Sequence, residues 1–242
     1  MVVGLIPARS GSERIADKNV RRLAGHPLMA YSIVSALESE LFDKVIVSSD
    51  SPPYLEIAKK YGAETHERPE RFATGGSPDF EWIDWVLNKN WHYSMRRPEY
   101  FAILRPTSPF RSADTIRRCF DNWDRAKYDS IRAVEPVSQH PGKMWIVRSD
   151  TMYPLLPMGP ADPPWHSSQM KTLPAVYVQN ASLEMATLEV FNRTRTISGW
   201  RIQAFMTNPV EGFDINTEYD FEIAERMVDD GTAALPRVYE TH

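Results

Sequence analysis

One cysteine, Cys119, is the entire thiol content of these 242 residues. That excludes an internal disulfide and a cysteine-built metal cluster, and it suits a reducing compartment. No apolar run approaches the roughly 18 residues of a membrane span, and the opening residues show no basic segment leading into a signal-type apolar core. The expected location is the cytoplasm, with no membrane partner. Charge of either sign is in small excess: 28 basic against 32 acidic side chains leave −4, and the two signs are interspersed. Nothing here provides the basic stripe that nucleic acid requires, so no nucleic-acid partner is expected. The chain has neither the G-x-x-x-x-G-K-[ST] of a P-loop nor the G-x-G-x-x-G of a dinucleotide fold. Its six histidines show no H-x-x-x-H spacing. There is no internal repeat, and the 19 prolines are spread rather than gathered in a low-complexity tract.

What remains is a chain apolar enough to bury a core, in which strand-like runs alternate with helical patterns. "VVGLIPA" is followed by "PLMAYSIVSALESE", "KVIVSSD" by "PPYLEIAKKYG", and "YFAILRP" by "SADTIRRCFDNWDRA". This βα rhythm predicts an α/β fold with a mostly parallel sheet flanked by helices. In Pro27 to Glu40 the residues Leu28, Tyr31, Ile33, Val34 and Leu37 predict a core-facing stripe, with Pro27 in the first turn. Cys119 falls on a predicted helix as core filler. Strand patterns return at "AVYVQNASLEMA" and "RIQAFM", and "NTEYDFEIAERMVDD" closes the chain as an amphipathic helix. One domain over residues 1–242 is expected. Residues 152–174, dense in proline, read as an inserted arm or lid, and Leu155, Leu156 and Trp165 on it predict a contact with a second subunit.

The loop after the first apolar run, "ARSGSERIADKN", carries Gly11, Ser12, Arg9, Arg14 and Lys18. Small residues let backbone N–H groups converge on an anion, and the cations add charge that a bare turn does not need. The same composition also serves as ordinary turn material. Loops at the carboxyl ends of parallel strands are where ligands bind in such sheets, and this loop lies at one.

The pattern R-x-G-S-x-R-x-x-x-K-N, followed by "GHPLMAY", resembles the cytidylyltransferases that activate sialic acid and related sugar acids. Five further stretches fit in the same order: "VIVSSD" with Asp50, "ERPERFATGG", "RPTSPFR", "HPGKMW" and "EGFDINTEYDFEIAE". The resemblance covers nearly the whole chain. It implies a Rossmann-like nucleotidyltransferase fold, a homodimer, Mg²⁺, and transfer of CMP from CTP to a sialic-acid-like (nonulosonic) acid with release of pyrophosphate.

Carried onto this sequence, the resemblance gives Arg9 and Lys18 to the triphosphate. Gly11, Ser12, Asn19, Arg68, Ser77 and Asp79 go to the nucleotide, Asp214 to the metal, and Arg105, Arg111, Lys143 and Asn180 to the acceptor side. A hard cation held by a carboxylate and phosphate oxygens suits Asp214, although an acidic residue there also suits a helix N-terminus. His140 carries no catalytic expectation. The chain departs from the family's frequent Asp-x-Asp at Asn216, from its Gln at Arg105, and from its Pro-Asn-Gly-Ala-Ile-Tyr segment in "QNASLEM", where Asn180 matches and Glu184 does not. Arg105 reads either as a planar donor pair for an acidic acceptor or as a strand-end ion pair. Alternatives are a related enzyme for a deoxy-octulosonate, a phosphonate or another NTP, and a nucleotide-binding protein without turnover.

Overall fold

The computed structural model describes residues 1–89, 91 and 96–239. In chain order its elements are β1 (Val2–Pro7), β2 (Arg22–Leu23), β3 (His26–Pro27), α1 (Leu28–Glu38), β4 (Lys44–Ser49), α2 (Pro52–Lys60) and β5 (Glu64–Glu67). There follow α3 (Asp79–Asp84), β6 (Tyr100–Ile103), α4 (Ala113–Asn122), β7 (Ser130–Pro136), β8 (Trp145–Arg148) and β9 (Thr151–Pro154). The last are β10 (Tyr177–Thr187), α5 (Leu188–Thr194), β11 (Ile202–Met206) and α6 (Glu218–Asp229). Seven strands form one sheet in the order β11-β7-β10-β6-β1-β4-β5. Only β10 runs against its neighbours, antiparallel to β6 and β7.

The side-chain period of two explains why β1, β4 and β6 read as unbroken apolar runs, since the sheet is covered on both faces. Val3, Leu5, Ile46, Phe101 and Ile103 face one layer with Trp82, Ile83 and Phe191. Ile6, Val45, Val47 and Ala102 face the other, with Met29 and Ile33 of α1 and Ile116 and Cys119 of α4. Cys119 is fully buried, and burial holds its thiol well above the ordinary range. Helix α1 differs from expectation. Leu28 through Ala36 are all buried, so it is enclosed rather than striped, while Leu37 is 40% exposed. Pro27 precedes the helix at its N-cap.

The excursion begins earlier than residue 152. His140 starts it, and β8 and β9 form a hairpin whose eight residues are all exposed. Trp165 is not the free aromatic that the sequence suggests. It is half-buried, edge-on to His140 at 6.2 Å and close to Gly159. His140 Nδ1 accepts from Gly142 N–H at 2.9 Å, so its other nitrogen carries the proton toward the Pro174 carbonyl, 3.0 Å away. The imidazole thereby ties both ends of the arm together. No helix among the described residues is long and apolar enough to cross a membrane.

Candidate active site

The carboxyl ends of β1, β4, β5 and β6 lie along one edge of the sheet, and the loops leaving them meet there. The opening loop is pinned from several sides. The backbone N–H and the hydroxyl of Ser10 both donate to Asp50, at 2.9 and 2.6 Å. Asn19 Nδ2 donates to the carbonyl of Arg9 at 2.9 Å. Arg9 in turn donates to the Gly11 carbonyl at 2.6 Å. Lys18 Nζ reaches the carbonyl of Ile215 at 2.9 Å, and the N–H of Ile215 donates to the Thr107 carbonyl, also at 2.9 Å. One buried residue therefore joins the opening loop, the "RPTSPFR" loop and the acidic turn. Burial lowers the Lys18 pKa, with Asp214 opposing and Arg14 and Arg9 reinforcing the shift.

Of the residues expected to hold nucleotide, all but Gly11 line a cavity of about 210 Å³: Arg9, Ser12, Lys18, Asn19, Arg68, Ser77 and Asp79. Gly11 supplies a carbonyl to Arg9, and a Cβ there would meet nothing closer than 3.7 Å. Its smallness is not what the loop needs. Arg68 is 4% exposed, donates to Ser48 at 3.2 and 3.1 Å, and covers the Trp82 ring at 4.5 Å. Burial pushes its pKa down to about 10, against the pull of Asp79 and Asp50. Ser77 is held by Thr74 and the Arg71 carbonyl. A second cavity of about 470 Å³ shares Arg9, Ser12, Lys18 and Gly75 with the first and adds Arg14 and Asn216. Three cations, Arg9, Arg14 and Lys18, against one carboxylate, Glu13, give this opening a positive balance that suits a polyanion.

A third cavity, about 490 Å³, lies beyond Arg105, which lines both it and the first. Arg105 Nη2 is 2.5 Å from Asp79 Oδ2 and 3.1 Å from Glu184 Oε1. Glu184 also pairs with Arg132, so carboxylates and guanidinia alternate from Asp79 to Arg132. Asp79 is further fixed by the Trp82 indole N–H at 2.8 Å. Burial, which would raise the Asp79 pKa, is outweighed by Arg105, and the carboxyl stays below its usual range. Arg105 itself, despite burial, is held above its ordinary value by Asp79 and Glu184. Of its two sequence readings, the strand-end ion pair is the one this structure contains.

Two expected acceptor cations lie elsewhere. Arg111 is fully buried and lines none of these three cavities. It donates to the Ser182 carbonyl, to Ser32 Oγ at 2.6 Å and to the Arg105 carbonyl at 3.4 Å. It is a brace beneath the loop rather than a surface cation, and burial lowers its pKa. Lys143 is exposed at the base of the arm and lines none of these three cavities. Asn180 does line the third, where a register shift in β10 between Gln179 and Glu184 frees it from the ladder.

Asp214 also lines this cavity. Its Oδ2 accepts from Asn216 Nδ2 at 2.6 Å, while Oδ1 is buried with no hydrogen-bond partner among the described residues. The helix cap here is Thr217, in a reciprocal box with Asp220, so neither Asp214 nor Asn216 caps α6. A bare buried carboxylate oxygen fits a hard cation, whose remaining ligands can be phosphate oxygens and water. Among the described residues no cluster of three or more carboxylate, histidine or cysteine side chains is placed to hold a metal by protein ligands alone.

A polyanion site, a bare carboxylate and a second polar cavity meet at the carboxyl edge of a mixed sheet. Over this same frame, the sequence model of the cytidylyltransferases matches residues 3–240. The chain belongs to the cytidylyltransferase family. It is 34% identical over 224 residues to the N-acylneuraminate cytidylyltransferase of Escherichia coli O18:K1:H7, covering 92% of this chain and 51% of that protein. It therefore spans about half the length of that relative. It is 29% identical over 241 residues to the CMP-N,N'-diacetyllegionaminic acid synthase of Legionella pneumophila, covering 97% of this chain and 99% of that one. Among solved structures, a CMP:2-keto-3-deoxy-manno-octonic acid synthetase complexed with CTP superposes with a TM-score of 0.68 at 14% identity, covering 95% of this chain and 99% of that one. This likeness is one of fold.

Several residues that shape these cavities and loops are not singled out as site residues in the sequence. Asp50 was visible only as a strand end. Ile215 acts through its backbone, which composition does not reveal. Gly212 packs against the polar ends of Glu135, Asn180 and Thr207, and a Cβ there would displace them from their present positions. Its place in "EGFDIN" was the available hint.

Proposed function

We propose that this cytidylyltransferase transfers CMP from CTP to a nonulosonic, sialic-acid-like sugar acid and releases pyrophosphate. The observation that carries the reading is the Arg9–Lys18–Asp214 juxtaposition, with cations and a bare carboxylate oxygen on two loops joined at Ile215. Relatives named for N-acylneuraminate and diacetyllegionaminic acid favour nonulosonic acceptors.

In this reading the acceptor's hydroxyl oxygen attacks the α-phosphorus in line. A new O–P bond forms, the bridging bond to the β-phosphate breaks, the hydroxyl proton is lost, and pyrophosphate departs. Arg9 and Lys18 neutralise the charge growing on the leaving group, which is the main demand of phosphoryl-type transfer. Ser12, Ser77 and Asp79 hold the nucleoside end, and Asn19 works indirectly by fixing the Arg9 backbone. Mg²⁺ bound by Asp214 would supply charge neutralisation at the phosphates. Asn216, donating to Asp214, orients its free oxygen. The apolar hairpin, with Val147 62% and Met152 53% exposed, supports a homodimer in which the arm packs against the second subunit. The cytoplasm, where CTP is made, is the proposed compartment.

The test is pyrophosphate release from each of four NTPs against nonulosonic, octulosonic and phosphonate acceptors. CTP with a nonulosonic acid should stand out. Preference for a deoxy-octulosonate, a phosphonate or another NTP would replace the acceptor or donor assignment, and no release from any pair would leave a binding protein.

A further inference from the structure

Glu135 stands near the end of β7 and faces the third cavity. Its Oε2 accepts from Asn180 Nδ2 at 3.0 Å. The Asn180 amide is itself oriented, because Nδ2 also reaches Thr207 Oγ1 at 2.8 Å while Oδ1 accepts from the Ser182 N–H at 3.3 Å. Gly212 lies against the pair, and a Cβ there would push Glu135 and Asn180 out of this arrangement. The other carboxylates on this wall are engaged. Glu184 holds two guanidinia, and Asp214 faces the proposed metal and Asn216. Glu135 has no cationic partner among the described residues and takes one amide hydrogen bond. Its carboxylate is half-buried and opens onto the cavity, so a donor on a ligand held there can reach it in place of water.

We infer that Glu135 determines acceptor specificity by taking hydrogen bonds from a hydroxyl or ammonium group of the sugar acid. This rests on the function proposed above and narrows its substrate class. The substituent that meets Glu135 is a donor, a free hydroxyl or amine, and not an acyl carbonyl. Arg105 does not compete for that role, being occupied by Asp79 and Glu184.

The substitution Glu135→Gln tests this with little change of shape. Asn180 can donate only to oxygen, so the new carboxamide must turn its oxygen to Asn180 and its NH₂ to the cavity. The polarity that the ligand meets is reversed. The acceptor KM should rise at least tenfold, with the KM for CTP within twofold of wild type and an unchanged melting temperature. An acceptor lacking the donor group should show the same KM in wild type and variant, a result that a structural role for Glu135 does not produce. An unchanged acceptor KM in Glu135→Gln, with wild type active on that acid, overturns the inference while the proposed function stands. If wild type turns over none of the sugar acids with CTP, the proposed function fails and the inference falls with it.

Discussion

Lys18 Nζ lies 2.9 Å from the carbonyl oxygen of Ile215, across almost the whole length of the chain. The contact makes the basic loop and the acidic turn one structure. Neither alone is more than a charged loop. Together they bring Lys18, which lines the first two cavities, near Asp214, which lines the third.

Lys18→Ala should therefore cut kcat/KM for CTP by about 30-fold or more, since truncating a buried charged contact costs about 2–5 kcal/mol. The pH profile adds a sharper check. Burial lowers the Lys18 pKa, so the wild-type alkaline limb in kcat/KM should begin below the ordinary lysine range. In Lys18→Arg that limb should move to higher pH. The stability sign runs the other way: a folded-state pKa below the unfolded value means the charged lysine opposes folding at low pH, and the penalty fades as pH rises through the folded value toward the unfolded one. Lys18→Met in the ligand-free protein removes this penalty but leaves the Ile215 carbonyl without its donor, so the loss at neutral pH should stay within about 1–3 kcal/mol by denaturant titration.

Asp214→Asn keeps the shape of the side chain and removes its charge. Turnover that depends on Mg²⁺ should be lost while circular dichroism stays native, and Asn216→Asp should be tolerated or should lower the Mg²⁺ concentration required. An unaltered Mg²⁺ titration in Asp214→Asn would place the metal elsewhere.

Arg105→Gln leaves Asp79 and Glu184 facing each other without the guanidinium between them. The pairs are about a quarter exposed, intermediate between surface and buried bridges, and the expected loss is about 1–3 kcal/mol. Because Asp79 lines the first cavity, proposed to hold the nucleotide, KM for CTP should rise together with KM for the acid. Folding depresses the Asp79 pKa, so its contribution to stability is present above the unfolded carboxylate pKa and fades as pH falls through the folded value. In the variant that acid limb should shift toward higher pH. A change confined to the acceptor KM would instead make Arg105 a direct contact of the acid.

The exposed hairpin predicts association. Light scattering at assay concentration should give a dimer, and Val147→Lys with Met152→Lys should yield monomers of native circular dichroism and reduced activity. A wild-type monomer with full activity would remove the arm from the site.

The sheet was legible because its central strands are buried on both faces and so appear as continuous apolar runs between helical stripes. The reversal of β10 was not, since an apolar strand carries no mark of its direction. Within the site, side chains with charge to contribute were readable: Arg9, Lys18 and Asp214 all face the cavities. Arg111 misled because a guanidinium without a carboxylate partner is seldom wholly buried, and only packing reveals the carbonyls that receive it. Trp165 misled in the same way, its cover coming from His140 and Gly159. Glu135 carries no sequence signal and Gly212 only its place in "EGFDIN", because their significance is mutual and lies in a contact between segments far apart in the chain.

The central claim is that CMP passes from CTP to a sugar acid, and the fate of labelled phosphorus tests it directly. With CTP labelled at the α-phosphorus, the purified enzyme and a nonulosonic acid should give a product in which the label migrates with the acid. With label at the γ-phosphorus, all of it should appear in pyrophosphate. Label from the γ position in the acid, or α-label that never leaves CTP under saturating acid and Mg²⁺, would contradict the account.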